Sequence, residues 1–241
     1  MIDIHTHIIY DVDDGSDTIE ESVAILKSAS LSGVTDIILT PHYIEHNEYN
    51  KEKVLENYEA LNREVEKQNI NIKLHPGNEI AIYGNVSQIL SEGVITTLAN
   101  SRYVLIEFPM NVDVSYVLDT IYEMRIKGLI PIIAHPERCE CFRIHYDRIG
   151  QAVNEGALIQ CNTGSMLGTY GNTAKKIVKK LLKDKLIHFF ATDTHSTKNN
   201  RYDNLHKVEA EVEKMVGKYE KNKLFTYNAR NILINENIEN N

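Results

Sequence analysis

Cysteine, proline and positive net charge are all in short supply in this 241-residue chain. Its three cysteines, Cys139, Cys141 and Cys161, are too few and too unevenly placed for a disulfide framework. None of them begins Cys-x5-Arg, the phosphate loop of thiol-dependent phosphatases, so phosphate chemistry here would need another nucleophile. With five prolines and twelve glycines, no Pro/Gly/Ser-rich linker divides the chain, and no repeat is evident. Gly-x-Gly-x-x-Gly and Walker A patterns are absent, so the common nucleotide-binding loops are excluded. No apolar run approaches the roughly 20 residues needed to cross a bilayer. The first residues have neither a basic n-region nor a long apolar h-region, so the expected location is cytoplasmic, without direct membrane insertion. The formal charge of −8 disfavours nucleic-acid binding.

What is present is an alternation of apolar runs and amphipathic segments. The runs predict strands at 1–7, 35–40, 70–79, 102–108, 129–134, 157–161 and 186–192. Helices are expected from Thr18, with Thr18-x-x-Glu21 as a capping box, then at 51–67, 115–127, 143–155, 173–184, 205–216 and 229–233. The stretch 164–171 reads as a loop. Alternation of this kind builds a parallel sheet, and 42% hydrophobic content supports one large core, so a single domain is expected over 1–241 with a frayed end at 235–241. Periodicity alone leaves a seven-stranded α/β barrel and an open doubly wound sheet both in play.

Six of the apolar segments end in His, Asp or Glu. His5-x-His7 and Asp193-x-His195 each place two donors two residues apart, where strand geometry aims both at one ion. His42 follows Thr40-Pro41; Glu79 and Glu107 close apolar strands where an unpaired carboxylate would be costly; His135 opens His-Pro-Glu-Arg138. Asp14, in Asp11-Val-Asp-Asp-Gly15, reads equally well as a turn residue. A barrel gathers such groups from the carboxyl ends of its strands, which makes a metallohydrolase the leading reading. The other histidines, 46, 75, 145, 188 and 206, read as surface or core residues.

As an ordered set, Met1-Ile-Asp-Ile-His5-Thr-His7, Asp11-Val-Asp-Asp-Gly15, Thr40-Pro-His42, Leu105-Ile-Glu107-Phe, Ile133-Ala-His135-Pro-Glu-Arg138, Ala191-Thr-Asp193-Thr-His195 and Tyr227-Asn-Ala-Arg230 resemble the capsule-type (CpsB/YwqE-like) bacterial protein-tyrosine phosphatases of the PHP (polymerase and histidinol phosphatase) superfamily. The resemblance spans the chain. It implies a distorted (β/α)7 barrel holding three divalent ions, manganese first, with iron or zinc as alternatives. It assigns His5, His7, Glu79 and Asp193 to one ion, Glu107 and His135 to a second bridged by Glu79, and Asp14, His42 and His195 to the third. It further implies a phosphate-binding Arg138, and a second arginine for which Arg201 is the candidate, one residue beyond the family's spacing. The implied reaction is hydrolysis of phosphotyrosine by metal-activated water. The implied partner is the tail of a membrane-associated tyrosine autokinase controlling capsule or exopolysaccharide synthesis, with recruitment to the inner membrane face through that kinase. Two other enzyme readings are a histidinol-phosphate phosphatase of the same superfamily and a TatD-like metal-dependent nuclease.

Overall fold

The computed structural model describes residues 1–44, 49–82, 89 and 93–238. Its strands are β1 (Ile2–Asp3), β2 (Asp36–Leu39), β3 (His42–Ile44), β4 (Lys73–Pro76), β5 (Glu79–Ala81), β6 (Tyr103–Glu107), β7 (Ile130–Ala134), β8 (Leu158–Asn162) and β9 (Phe189–Ala191). They pair in parallel in two sheets, ordered β1-β2-β4 and β3-β5-β6-β7-β8-β9. Only Thr40-Pro41 separates β2 from β3, and only Gly77-Asn78 separates β4 from β5. Because β2 lies beside β4 and β3 beside β5, each pair is one strand broken at the same level of the sheet. Pro41 cannot donate to a ladder. At Gly77 a Cβ would come within 2.9 Å of Ile38 Cγ2, so the close approach there excludes a larger residue.

Counted this way there are seven strands among the described residues, in the expected order. The first rejoins the last through a parallel bridge between Thr6 and Thr194, with His7 N donating to Thr194 O and Asp193 N to His5 O, each at 2.9 Å. The expected distorted barrel is therefore barrel-like, and its first and last strand segments meet at a bridge instead of a full ladder.

The strands carry two apolar faces. Ile37, Leu39, Val104, Ile106, Ile133, Ile159 and Phe190 pack with helix residues such as Leu26, Leu61, Ile121, Val178 and Val208. The alternate positions Ile38, Tyr103, Leu105, Ile132, Leu158 and Phe189 face one another and are closed at one end by Leu98, Ala229 and Ile232. Period-two alternation in each strand produces this division.

Several boundaries differ from the sequence reading. The α1 helix (Ile19–Leu31) is capped by Thr18, whose side chain accepts from Glu21 N, but Glu21 itself accepts from Asp17 N and Thr197 and so joins α1 to the loop after β9. The helix expected at 143–155 is two, Glu140–Ile144 and Asp147–Asn154, and Thr163–Leu167, read as the start of a loop, is a short helix ended by Gly168 at φ +91°. The tail is tied down as far as residue 237: Asn235 and Asn237 accept from Arg102, and Tyr103 Oη donates to Glu236 O. Residues 239–241, like His46, lie outside the described residues.

A candidate metal centre at the strand ends

The nine candidate ligands converge on one end of the barrel. His5 Nε2 lies 3.1 Å from His7 Nε2, and both are 3.1 Å from Glu79 Oε2. Asp193 Oδ1 is 3.5 Å from His5 Nε2 and 3.7 Å from His7 Nε2. On the other side of Glu79, Oε1 is 3.0 Å from His135 Nε2, which is 3.7 Å from Glu107 Oε1. Asp14 Oδ1 sits 3.6 Å from His42 Nε2 and 3.5 Å from His195 Nε2. Four overlapping groups result: His7, Asp14, His42 and His195; His5, His7 and Asp193; His5, Glu79 and His135; and His42, Glu79 and Glu107. Asp14, His42 and His195 fall together, as the resemblance implied, with His7 added. His5 stands with Glu79 and His135, and Glu107 with His42, so donors assigned to separate ions share neighbours.

The pleat alone does not aim these donors. His5 and His7 follow β1, and Asp193 and His195 follow β9, in segments that have left the ladder. His135 and Asp193 adopt φ of +31° and +53°, conformations that L residues hold only when their surroundings demand it. His135 N donates to Gln160 Oε1, Asp193 N donates to His5 O, and Asp193 Oδ2 accepts from Asn162 Nδ2; His7 and His5 are braced from behind as well. His7 Nδ1 donates to Asp13 Oδ2 at 2.9 Å, and Asp13 also accepts from His42 N and Gly15 N at 3.0 Å each. Gly15 has no room for a side chain, since a Cβ would lie 1.8 Å from His7 O. His5 Nδ1 meets Gln160 Oε1 at 3.0 Å, and Gln160 Nε2 donates to Asn162 Oδ1. Each Nδ1 is thus engaged from behind, and both Nε2 atoms face Glu79 Oε2. That is the donor arrangement of metal-ligating histidines.

Electrostatics agrees with this fit. Burial alone would raise the Glu79 carboxyl, yet His5, His135 and His7 hold it well below its ordinary value. His7 is correspondingly pushed well above its own, burial being outweighed by Asp13 and Glu79, and His135 is pushed up to about 9 by Glu79 against the effect of burial. Glu107 is raised by burial and by the neighbouring Glu79 charge. Raised imidazoles beside lowered carboxylates mark a cluster of buried acids whose charge a divalent cation would neutralise. His42 Nδ1 is buried 3.2 Å from Glu79 Oε2 without forming a hydrogen bond to it, a contact that a shared cation would satisfy. Burial falls off across the site: the His5 side chain is 0% exposed and that of Asp14 is 70% exposed, so the Asp14 group is the open end.

Arg138, partly exposed, stands on the Asp193 side of the site. The turn His135-Pro-Glu-Arg is closed by Arg138 N donating to His135 O, and the buried Glu137 anchors it by accepting from Asn162 N at 2.9 Å. Arg138 then pairs with Asp193 Oδ2 at 2.9 Å, an acceptor it shares with Asn162 Nδ2. Arg201 also reaches this region: the Tyr170 ring lies 5.6 Å from its Cζ and 4.5 Å from that of Arg138. Met110 and Cys139 line a small cavity with Glu107, His135 and Arg138.

Comparison with known proteins fits this centre into a family. The model for capsular polysaccharide synthesis proteins CpsB/CapC matches residues 1–234. The chain belongs to the CpsB/CapC family. The CapC protein of Staphylococcus aureus is 37% identical over 99% of this chain and 93% of its own length. The tyrosine-protein phosphatase YwqE of Bacillus subtilis is 36% identical over 99% and 93%. A crystal structure from work on B. subtilis YwqE and Streptococcus pneumoniae CpsB, described as metal-dependent tyrosine phosphatases, superposes with a TM-score of 0.92 at 35% identity, covering 100% of this chain and 97% of that one.

Asp13, Gln160, Asn162 and Tyr170 were not singled out from sequence. Two of them left a signal: Gln160 and Asn162 are polar residues two apart at the end of an otherwise apolar strand, the same signature that marked the candidate ligands. Asp13 was hidden among three turn-forming aspartates.

Proposed function

We propose that this CpsB/CapC-family chain is a metal-dependent protein-tyrosine phosphatase, with His5, His7, Asp14, His42, Glu79, Glu107, His135, Asp193 and His195 holding three divalent ions, manganese foremost. The observation that carries the reading is the convergence of these donors, with acceptors behind His5 and His7 that turn their Nε2 atoms inward and an arginine beside Asp193. Bound divalent ions supply Lewis acidity and acidify water at such centres.

The chain's own side chains do the rest. Asp13 and Gln160 keep His7 and His5 in the tautomer that presents Nε2 inward. Glu79, facing donors on both of its oxygens, would be the side chain shared between two ions. Arg138 presents a planar fork suited to two phosphoryl oxygens and neutralises charge as the bond to phosphorus breaks, with Arg201 in support. Tyrosine, with an ordinary pKa near 10, leaves as a phenolate far more readily than serine leaves as an alkoxide, so the scheme needs no strong general acid. The substrate in this reading is a phosphotyrosine-bearing tail of a membrane-associated tyrosine autokinase that governs capsule or exopolysaccharide synthesis, met on the cytoplasmic side. Among the described residues no helix is long and apolar enough to cross a membrane, so attachment would come through that partner.

The test is turnover of a phosphotyrosine peptide and of histidinol phosphate before and after exhaustive chelation. The peptide should be preferred, chelation should abolish turnover and manganese should restore it. Full activity in metal-free protein would refute the metal reading, and preference for histidinol phosphate would move the substrate to the other branch of the superfamily.

A further inference from the structure

Tyr170 lies in the short loop between helices Thr163–Leu167 and Gly171–Lys183, and that loop is held stiffly. Gly168 at φ +91° ends the first helix, Thr169 N donates to Gly164 O at 2.9 Å, and Gly171 N to Gly168 O at 3.0 Å. The half-buried Tyr170 ring is within cation–π range of two guanidinium groups from different loops, Arg138 at 4.5 Å and Arg201 at 5.6 Å. Space for this arrangement is left by Gly164, where a Cβ would come within 3.2 Å of Tyr170 Cε2 and 3.5 Å of Arg201 Nε. Arg138 has a second anchor in Asp193. Arg201 Nε, in contrast, is buried and has no hydrogen-bond partner.

Two guanidinium groups brought to one aromatic ring repel each other, and the ring's negative face offsets that cost until an anion arrives. We propose that Tyr170 is a positioning residue whose ring gathers Arg138 and Arg201 into one phosphate-recognising pair. The proposal rests on the phosphatase reading and adds to it the residue that makes two separate arginines act together. It also accounts for how Arg201 can serve despite its shifted spacing: the ring, not the distance along the chain from His195, sets where its guanidinium stands. Tyr170 itself touches neither the phosphoryl group nor the ions in this scheme.

The test is calorimetric titration of inorganic phosphate into the metal-loaded full chain, with metal content and thermal midpoint measured for every variant. Tyr170→Leu should weaken phosphate binding about 5- to 30-fold, the range for losing cation–π contacts at a partly desolvated site. Tyr170→Phe, which keeps the ring, should retain most of the affinity, and Tyr170→Met, which keeps bulk without a ring, should behave like Tyr170→Leu even if the leucine variant folds poorly. In an Arg201→Ala background Tyr170→Leu should cost less than in the wild type, because part of its work is already gone. The loss in kcat/KM should be equal for a phosphotyrosine peptide and an alkyl phosphate; a loss confined to the peptide would mean that the ring stacks on substrate instead, and would overturn the proposal. So would wild-type phosphate affinity in Tyr170→Leu or Tyr170→Met, failure of Tyr170→Phe, or fully additive losses. Wild-type protein that binds phosphate with this pattern yet hydrolyses no phosphotyrosine would refute the phosphatase reading while leaving the arginine pairing standing.

Discussion

The inward strand face has two halves that differ completely in chemistry while sharing the same backbone. In β6, Leu105 sits in the apolar interior, and Glu107, two residues and about 6.6 Å further on, is among the donors that could hold an ion. In β8, Leu158 belongs to the same interior, and Gln160 and Asn162 above it orient His5 and Asp193. One step of the pleat therefore separates residues that hold the fold together from residues of the candidate metal centre. The apolar half needs only volume and hydrophobicity. The polar half needs each proton and lone pair directed, and it draws on loops with strained backbone to achieve that.

Substitutions on the two halves should give opposite signatures. Glu79→Gln, which leaves the shape of the polar half almost intact, is expected to lower both the metal bound per chain and phosphotyrosine turnover, the latter by about 10³-fold or more, because two groups of donors lose the charge they share. Elemental analysis paired with steady-state kinetics checks this, and normal metal content would remove Glu79 from its bridging role. Leu105→Ala, on the apolar half, should cost about 2 to 5 kcal/mol of unfolding free energy in a denaturant titration. Its kcat/KM, measured where the variant is fully folded, should stay within about threefold of the wild type, whereas Glu107→Gln on the same strand should do the reverse. If Leu105→Ala lost activity without losing stability, the separation between the halves would collapse.

Two further variants sharpen the polar half. Arg138→Ala should keep its metal and lose about 10- to 1,000-fold in kcat/KM, equivalent to roughly 1.4 to 4 kcal/mol, with Arg138→Lys recovering part of it since a point charge cannot make the two-pronged contact. Asp13→Asn should have the smallest effect, weakening metal affinity about 10- to 100-fold through a loosened His7, with turnover returning when metal is supplied in excess. Failure of excess metal to rescue Asp13→Asn would mean that Asp13 acts on more than the orientation of His7.

The sequence was a good guide wherever local pattern and final geometry coincide. Apolar runs marked seven strands in the observed order, and the six that end in His, Asp or Glu carried eight of the nine converging donors; Asp14, in a turn, stood out only through the family resemblance. It misjudged places where a tertiary contact overrides the pattern. Glu21 was read as closing a local capping box, but its carboxylate goes to Asp17 and to Thr197, a residue brought near only by the closing of the strands. The run 70–79 was read as one strand, but Gly77 fits under Ile38 and Leu98 only at a break. Gly164 to Gly171 looked like a plain loop because nothing in the order of residues says that its tyrosine will meet two distant arginines.

By itself the sequence determined the parallel α/β class, the order of the strands and the chemical kinds of donor at their ends. Those follow from residue type and period, which are local properties of the chain. Tertiary structure alone decided that β2 and β4 break where they do, that Asp13 and Gln160 stand behind His7 and His5, and that Tyr170 lies between Arg138 and Arg201 in contact terms. Each of these depends on which backbone segments approach within a few ångströms after the first and last strands meet, and distances of that kind are set by packing, not by position along the chain.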